Sequence, residues 1–245
     1  CCMTGSLLAR PHLLALPLLA IWTAELARER AEDRRPSWLL LPLLAVWVNI
    51  HASFLLGLAL AGGLALEALA GGRQARWRVL REWGAFGIAA LAACLLNPHF
   101  AQGVIFPLAL MGTASLAHIG EWQPTDFSRL QPFELAVAAA LYVILSRGVK
   151  ISAVRTLILL GLLHLALSHQ RHQIVVAVIA PLLLAEPLAH AFGAVEARLR
   201  NRLSGAVAAL ALIAIASLAL LRFAAPVPRG DGAASPVTAL SEVPA

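Results

Sequence analysis

The stretch PSWLLLPLLAVWVNIHASFLLGLALAGGLALEALAGG, residues 36–72, decides the fold of this chain. Two apolar runs, Trp38–Val48 and Phe54–Ala70, lie on either side of the polar segment Asn49-Ile50-His51-Ala52-Ser53. Both runs are shorter than the ~20 residues that a helix needs to cross a bilayer. Their Ala and Leu content favours helices over the alternating pattern of barrel strands. The stretch therefore predicts a hairpin of two short helices with Asn49 and His51 at its tip.

The composition extends this prediction to the whole chain. Of 245 residues, 60% are hydrophobic and only 13% are charged, which excludes a disordered chain, a disulfide-stapled secreted domain and an ordinary cytosolic enzyme. The three cysteines include no CxxC pair, so neither a disulfide framework nor a zinc site is predicted. The net charge of +6 comes from arginines clustered between apolar runs, which favours membrane lipid and not nucleic acid as the partner.

The apolar runs predict an all-α, polytopic integral membrane bundle of about eight transmembrane helices. One further run, Val104–Ala117, is short and closely followed by polar residues, so we expect an interfacial or re-entrant helix there. The helical domain is predicted to cover residues 1–222, followed by a flexible, Pro- and Gly-containing outer tail at 223–245. Because the chain does not begin with Met, we expect it to be the C-terminal part of a longer protein.

The Arg and Lys residues predict how the helices are oriented. Fourteen of the 19 cations fall in four alternate connections, 28–35, 73–81, 147–155 and 198–202, and five fall elsewhere. Cytoplasmic loops carry such an excess. The four basic connections are therefore assigned to the cytoplasm of a bacterial plasma membrane, and the remaining connections to the periplasmic or outer side.

This topology collects the other polar residues in one outer layer, including six of the eight histidines. Guanidinium and imidazole groups can donate hydrogen bonds to a lipid phosphate, and a carboxylate can act as a general base. The predicted catalytic residues are Glu121 and Asp126, and the predicted lipid-phosphate-binding residues are Arg10, His12, Asn49, His51, Asn97, His99, His169, Arg171 and His172.

Each of these groups also has a structural interpretation. Arg10 can extend its charge to the interface, Asn49 and His51 can cap the hairpin helices, and Asn97 before Pro98 can end a helix. Glu121 and Asp126 can make local turn and ion-pair contacts. No HExxH, Walker, GxSxG or GxGxxG motif is present, so no metal site is predicted and a divalent cation has no support from this chain.

Five motifs in their order along the chain resemble a group of bacterial multi-pass proteins placed with the GT-C type glycosyltransferases. The motifs are RPH at 10–12, WVNIHASF at 47–54, NPHF at 97–100, EWQPTDF at 121–127 and HQRH at 169–172. The resemblance implies a polyprenyl-phosphate-linked sugar as donor and an active site facing away from the cytoplasm. It also implies that Arg10, His12, His51 and Arg171 bind the lipid phosphate or the acceptor.

Two departures from that group bear on the implied activity. Ala52 stands where the resemblance leads us to expect Gly, and the group's catalytic acid lies on an outer loop upstream of this chain. The predicted function is therefore sugar transfer from a polyprenyl-phosphate lipid to an outer-face acceptor, with the base left open. The alternatives are a transporter or flippase for an amphipathic anion, and a non-catalytic component that binds envelope lipids.

Overall fold

A computed structural model of the chain describes residues 12–71, 75–111 and 122–193. Within these ranges 77% of the residues are helical and none lies in a strand, which confirms the predicted all-α class. The helices are α1 (His12–Ala31), α2 (Leu40–Val48), α3 (Phe54–Gly71), α4 (Arg76–Ala93), α5 (Ala101–Met111), α6 (Pro132–Ser146), α7 (Ala153–Ser168) and α8 (Gln173–Ala191), with a short 3₁₀ turn at Gln170–His172. The predicted run Ala206–Leu221 and tail 223–245 fall outside the described residues.

The predicted hairpin is present as α2 and α3, but only α2, with 9 residues, is short, and α3 has 18 residues. The turn is closed by the indole Nε1 of Trp47, which donates to Ser53 Oγ at 3.1 Å. His51 Nδ1 lies 2.9 Å from the same hydroxyl oxygen and accepts from the Ser53 backbone N–H at 3.1 Å. The polar tip therefore satisfies its own hydrogen bonds at the point where the chain reverses.

A buried aromatic cluster joins the hairpin to the neighbouring helices. Trp22 of α1 lies 6.2 Å from Trp47 of α2 and 5.8 Å from Phe86 of α4, measured between ring centroids. The Trp22 indole donates a hydrogen bond to the carbonyl oxygen of Gly57 in α3 at 2.8 Å. All three rings are almost completely buried, so four helices share one close-packed contact.

Gly57 permits this contact because it has no side chain. A Cβ atom built there would lie 2.7 Å from Cζ3 of Trp47, whereas a Cβ at Gly62 of the same helix would meet nothing within 4 Å. We expect Gly57→Ala to lower the free energy of unfolding by about 1–3 kcal/mol through overpacking. The matched variant Gly62→Ala should be neutral or stabilising by up to ~1 kcal/mol, because alanine favours helix.

Titration with sodium dodecyl sulfate, followed by far-ultraviolet circular dichroism, measures both glycine variants in mild detergent. Equal midpoints for the two variants would contradict the close approach of α2 and α3.

Long-range polar contacts show which helix ends lie together. The carboxylate of Glu67, near the end of α3, accepts a hydrogen bond from Arg155 in the first turn of α7. The backbone carbonyl oxygen of Glu67 accepts one from Arg30 in the last turn of α1. Arg155 also reaches Glu186 near the end of α8. The ends of α1, α3 and α8 and the start of α7 therefore form one end of the bundle, which we call the arginine end.

The opposite end of the bundle follows from these helix directions. It contains the start of α1, the α2–α3 turn and the α7–α8 turn. The end of α4 also lies there, because the Asn49 side chain donates to the carbonyl oxygen of Leu96 at 2.9 Å. We call this the histidine end.

The outer surface of the bundle is strongly apolar. Large side chains are exposed on most helices, including Ile88 at 71%, Leu145 at 78% and Leu157 at 68%. By length and composition two helical segments, Phe54–Gly71 and Gln170–Ala191, are long and apolar enough to cross a membrane, and three shorter ones are also apolar. These features agree with membrane association; the number of spans stays a prediction.

Candidate functional site

A cluster of one tryptophan, two histidines and one arginine lies at the histidine end. The ring of Trp122 is 5.4 Å from that of His169 and 6.3 Å from that of His172, and the two histidine rings are 5.4 Å apart. The guanidinium carbon of Arg171 lies 4.5 Å from the Trp122 ring centroid, a cation–π distance. We call these four residues the histidine cluster.

Hydrogen bonds from the loop before α6 hold the cluster in place. The Thr125 backbone N–H donates to Leu167 O at 2.9 Å, and the Thr125 hydroxyl donates to Ala166 O at 2.8 Å. The backbone N–H of Gln170 donates to Gln123 O at 3.0 Å, and the Gln173 amide donates to Thr125 Oγ1 at 3.1 Å. Because Thr125 is buried, this loop is fixed to the α7–α8 turn and presents Trp122 to the histidines.

One atom of the cluster lacks a hydrogen-bond partner. Nδ1 of His169 is buried and has no partner among the described residues. Buried polar atoms in native proteins are nearly always hydrogen-bonded, so this ring nitrogen needs a partner that the described residues do not supply, such as a water or a ligand oxygen. A phosphate offers several such acceptors to arginine and histidine together.

The other predicted binding residues at this end are largely engaged in turns. The Asn49 amide donates to Ala45 O and Leu96 O, which ties the end of α2 to the connection after α4. The Asn97 amide donates to Cys94 O and Phe100 O, and its oxygen accepts from the His99 backbone N–H. The structure therefore gives Asn49 and Asn97 capping roles, and it leaves the His99 side chain exposed.

Asp126, one of the two predicted catalytic carboxylates, is exposed in the loop that holds the cluster. Its carboxylate accepts from the Ser128 backbone N–H at 2.8 Å and from the Ser128 hydroxyl at 2.9 Å. These hydrogen bonds lower the pKa of Asp126 below its usual value. A carboxylate stabilised in this way is a weak base, because its proton affinity is reduced.

Three of the predicted site residues lie wholly or partly outside the described part of the chain. These are Arg10, Glu121 and the side chain of His12. His12 is the first residue of α1, so its backbone lies at the histidine end. In the described ranges no group of three or more His, Cys, Asp or Glu residues is placed to hold a metal ion.

A second polar cluster, which the sequence analysis did not identify, lies at the arginine end. Arg155 forms two hydrogen-bonded ion pairs with Glu67, Nε to Oε2 at 3.2 Å and Nη2 to Oε1 at 3.0 Å. A third ion pair joins Arg155 Nη1 to Glu186 Oε2 at 3.2 Å. The side chains of Arg155 and Glu67 are 5% and 6% exposed, so this pair is almost fully removed from solvent.

Pro187 explains one further contact of this ion network. A proline inside a helix has no N–H to donate to the carbonyl four residues earlier, which here is that of Leu183 in α8. Arg155 Nη1 donates to Leu183 O at 3.2 Å and so supplies the missing bond. The sequence did contain a signal, since Glu67 and Glu186 interrupt apolar runs and such carboxylates need a partner.

No protein-family model matches the chain, and comparisons with curated proteins and with solved structures gave no match either.

Proposed function

We propose that the chain is a polytopic plasma-membrane protein with about eight spans, whose histidine end faces the outer side. The alternation of helix direction supports this arrangement: α1, α3, α6 and α8 run from the histidine end to the arginine end, and α2, α4 and α7 run back. The apolar exterior supports burial in lipid. Helix α5, with Ile105 and Phe106 exposed, is proposed to lie in the interface or to be re-entrant.

The function proposed for the histidine end is sugar transfer from a polyprenyl-phosphate lipid to an outer-face acceptor. The observation that carries this proposal is the histidine cluster, in which Arg171 lies over Trp122 beside the unpaired Nδ1 of His169. Exposed apolar side chains nearby, Phe127 at 54% and Leu130 at 70%, offer a surface for the lipid chain. A polyprenyl phosphate matches both features, because its phosphate can bind the histidine cluster and its chain can pack on the exposed apolar side chains.

In the proposed reaction the bond between the sugar's anomeric carbon and the lipid phosphate oxygen breaks as the acceptor oxygen attacks that carbon. Arg171 and His169 stabilise the negative charge that develops on the departing phosphate, whereas His172 Nδ1 already donates to Leu165 O at 3.3 Å. A carboxylate takes the acceptor's proton. Because Asp126 is a weak base, we favour Glu121 for that role.

Arg171 provides the direct test of this proposal. We expect Arg171→Ala to weaken binding of undecaprenyl phosphate about tenfold, since a charge-assisted contact to phosphate is lost. Binding of the uncharged undecaprenol should not change. Titration calorimetry of the chain in detergent micelles measures both ligands, and sugar transfer should fall in parallel.

Arg129→Ala serves as the matched control for this test. Arg129 is an exposed arginine in the same loop as Asp126, and among the described residues the cation that lies over the Trp122 ring is that of Arg171. If Arg129→Ala weakened phosphate binding as much as Arg171→Ala, or if neither variant changed it, the assigned site would be wrong.

A transporter or flippase for an amphipathic anion is the second candidate function. The ion network at the arginine end favours it, because ionisable groups and proline-interrupted helices such as α8 occur at transport sites. Flux of a labelled anionic lipid in vesicles, without sugar transfer, would favour the transporter. Lipid retention with neither activity would favour a non-catalytic lipid-binding component.

A further inference from the structure

A cavity of about 560 Å³ opens at the arginine end, far along the helices from the histidine cluster. Its walls come from the ends of α1, α3 and α8, from the start of α7 and from the connection between α6 and α7. The charged and titratable residues that line it are Arg30, Glu67, Lys150, Arg155, Glu186 and His190. Acidic and basic side chains therefore face the same cavity, although it is built between apolar helices.

Two cations of the cavity have carboxylate partners, and two basic groups do not. Arg155 is bound by Glu67 and Glu186, and Arg30 Nη1 lies 3.0 Å from Asp33 Oδ1. Lys150 and His190 are exposed at the rim and form no ion pair within the described residues. Within the described residues the buried Arg30 Nε has no hydrogen-bond partner, although it lies 3.9 Å from Glu67 Oε1.

One of the helix ends around the cavity, the amino end of α7, favours an anion. The amino end of α7, capped by the Ser152 hydroxyl at 3.1 Å from the Arg155 backbone nitrogen, lies at the cavity wall and carries partial positive charge. The carboxyl ends of α1, α3 and α8 also point to this region and carry partial negative charge. Basic residues oppose that charge in the last turns of α1 and α8, Arg30 and His190, but not in the last turn of α3.

Glu186 occupies the place where an incoming anion would bind. It is held by a single ion pair to Arg155 and is 41% exposed, whereas Glu67 makes two contacts to the same guanidinium and is 6% exposed. Displacing Glu186 into water would free one N–H of Arg155 Nη1, which also donates to Leu183 O, and would leave the buried Glu67–Arg155 pair in place. The arrangement thus offers one exchangeable contact to a fixed arginine.

We propose that this cavity binds a phosphate group, which Lys150 and His190 bind at the rim and which replaces Glu186 on Arg155. Phosphate fits because its several oxygens accept from donors on different helices at once. The group belongs either to an anionic phospholipid headgroup, since basic pockets between helices on the cytoplasmic side bind such headgroups, or to a soluble phosphate. The site lies at the opposite end from the proposed transferase site and is independent of it.

Titration calorimetry of the full chain in detergent micelles tests the proposal with three probes. These are inorganic phosphate, dioctanoyl phosphatidylglycerol and, as a zwitterionic comparison, dioctanoyl phosphatidylcholine. We expect phosphatidylglycerol, inorganic phosphate or both to bind more tightly than phosphatidylcholine. Phosphate binding identifies a soluble source, and binding of phosphatidylglycerol alone identifies the lipid headgroup.

Three variants separate the cavity from general surface charge. Lys150→Gln should weaken binding about tenfold, and Glu186→Gln should strengthen it about threefold because the competing carboxylate is removed. Arg147→Gln removes a cation from the same connection, but Arg147 lies over the Phe192 ring at 4.9 Å and does not line the cavity. It should leave binding unchanged.

The proposal is overturned if neither anionic probe binds better than phosphatidylcholine. It is also overturned if Arg147→Gln and Lys150→Gln weaken binding equally, or if Glu186→Gln weakens it. Arg171→Ala is expected to weaken undecaprenyl phosphate binding and to leave binding of the cavity probes unchanged. Such a result would bear on the histidine cluster and not on the cavity.

Discussion

Replacing Arg155 with methionine is expected to lower the free energy of unfolding by about 3–5 kcal/mol. The substitution leaves the Glu67 carboxylate, which is 6% exposed, buried with its main counter-charge removed. It also leaves the Leu183 carbonyl without the donor that replaces the missing proline N–H. Sodium dodecyl sulfate titration, followed by circular dichroism, measures the loss.

A double variant distinguishes a buried charge from a simple loss of packing. Arg155→Met combined with Glu67→Met removes both charges, and we expect it to recover about half of the lost stability, since the Leu183 carbonyl stays unpaired. Arg78→Ala is the exposed control: Arg78 is 60% exposed and pairs with Glu82 in the first turns of α4. It should cost at most ~0.5 kcal/mol. A double variant no more stable than the single one would contradict the buried ion pair.

At the centre of the bundle, Trp22→Ala is expected to lower the free energy of unfolding by an amount comparable to that of Arg155→Met. Trp22 is completely buried between Trp47 and Phe86, so truncation opens a cavity and breaks the hydrogen bond to Gly57 O. We expect a loss of about 3 kcal/mol, near the lower end for aromatic truncation, because helices packed in hydrocarbon gain mainly from dispersion contacts.

Trp22→Phe and Trp77→Ala provide the comparisons for that variant. Trp22→Phe keeps most of the ring packing and loses the N–H donor, so it should cost about 1 kcal/mol. Trp77 is 76% exposed, and its truncation should leave the unfolding midpoint nearly unchanged. If Trp22→Ala and Trp77→Ala had the same midpoint, Trp22 would not be the centre of the packing.

The sequence predicted the helices well because apolar runs and polar connections alternate along the chain. Helix bounds were less accurate. The run Trp83–Leu96 predicted the apolar part of α4, but the helix begins at Arg76, because Arg78 and Glu82 form an i,i+4 pair that extends it. An apolar run marks the part of a helix that is removed from water. The backbone hydrogen bonds of the helix continue into the polar residues beyond that run.

The candidate sites were predictable only in part for a different reason. Alternating helix direction is enough to place the α2–α3 turn and the HQRH turn at the same end. The attachment of Thr125 to Ala166 and Leu167 joins residues about 40 positions apart, and the pairing of Glu67 with Arg155 joins residues 88 apart. No local pattern encodes such partners, so Trp122 was not placed against the histidines and the ion network was missed.

Pro187 in α8 also bears on the order in which the protein is synthesised and folds. A membrane segment cannot carry a bare carbonyl into hydrocarbon without a penalty, and the donor for Leu183 O is on α7. Since α7 precedes α8 in the chain, the guanidinium of Arg155 is synthesised before the carbonyl that it binds. Split-protein fragments divided between these two helices should therefore associate, whereas α8 expressed alone should insert poorly.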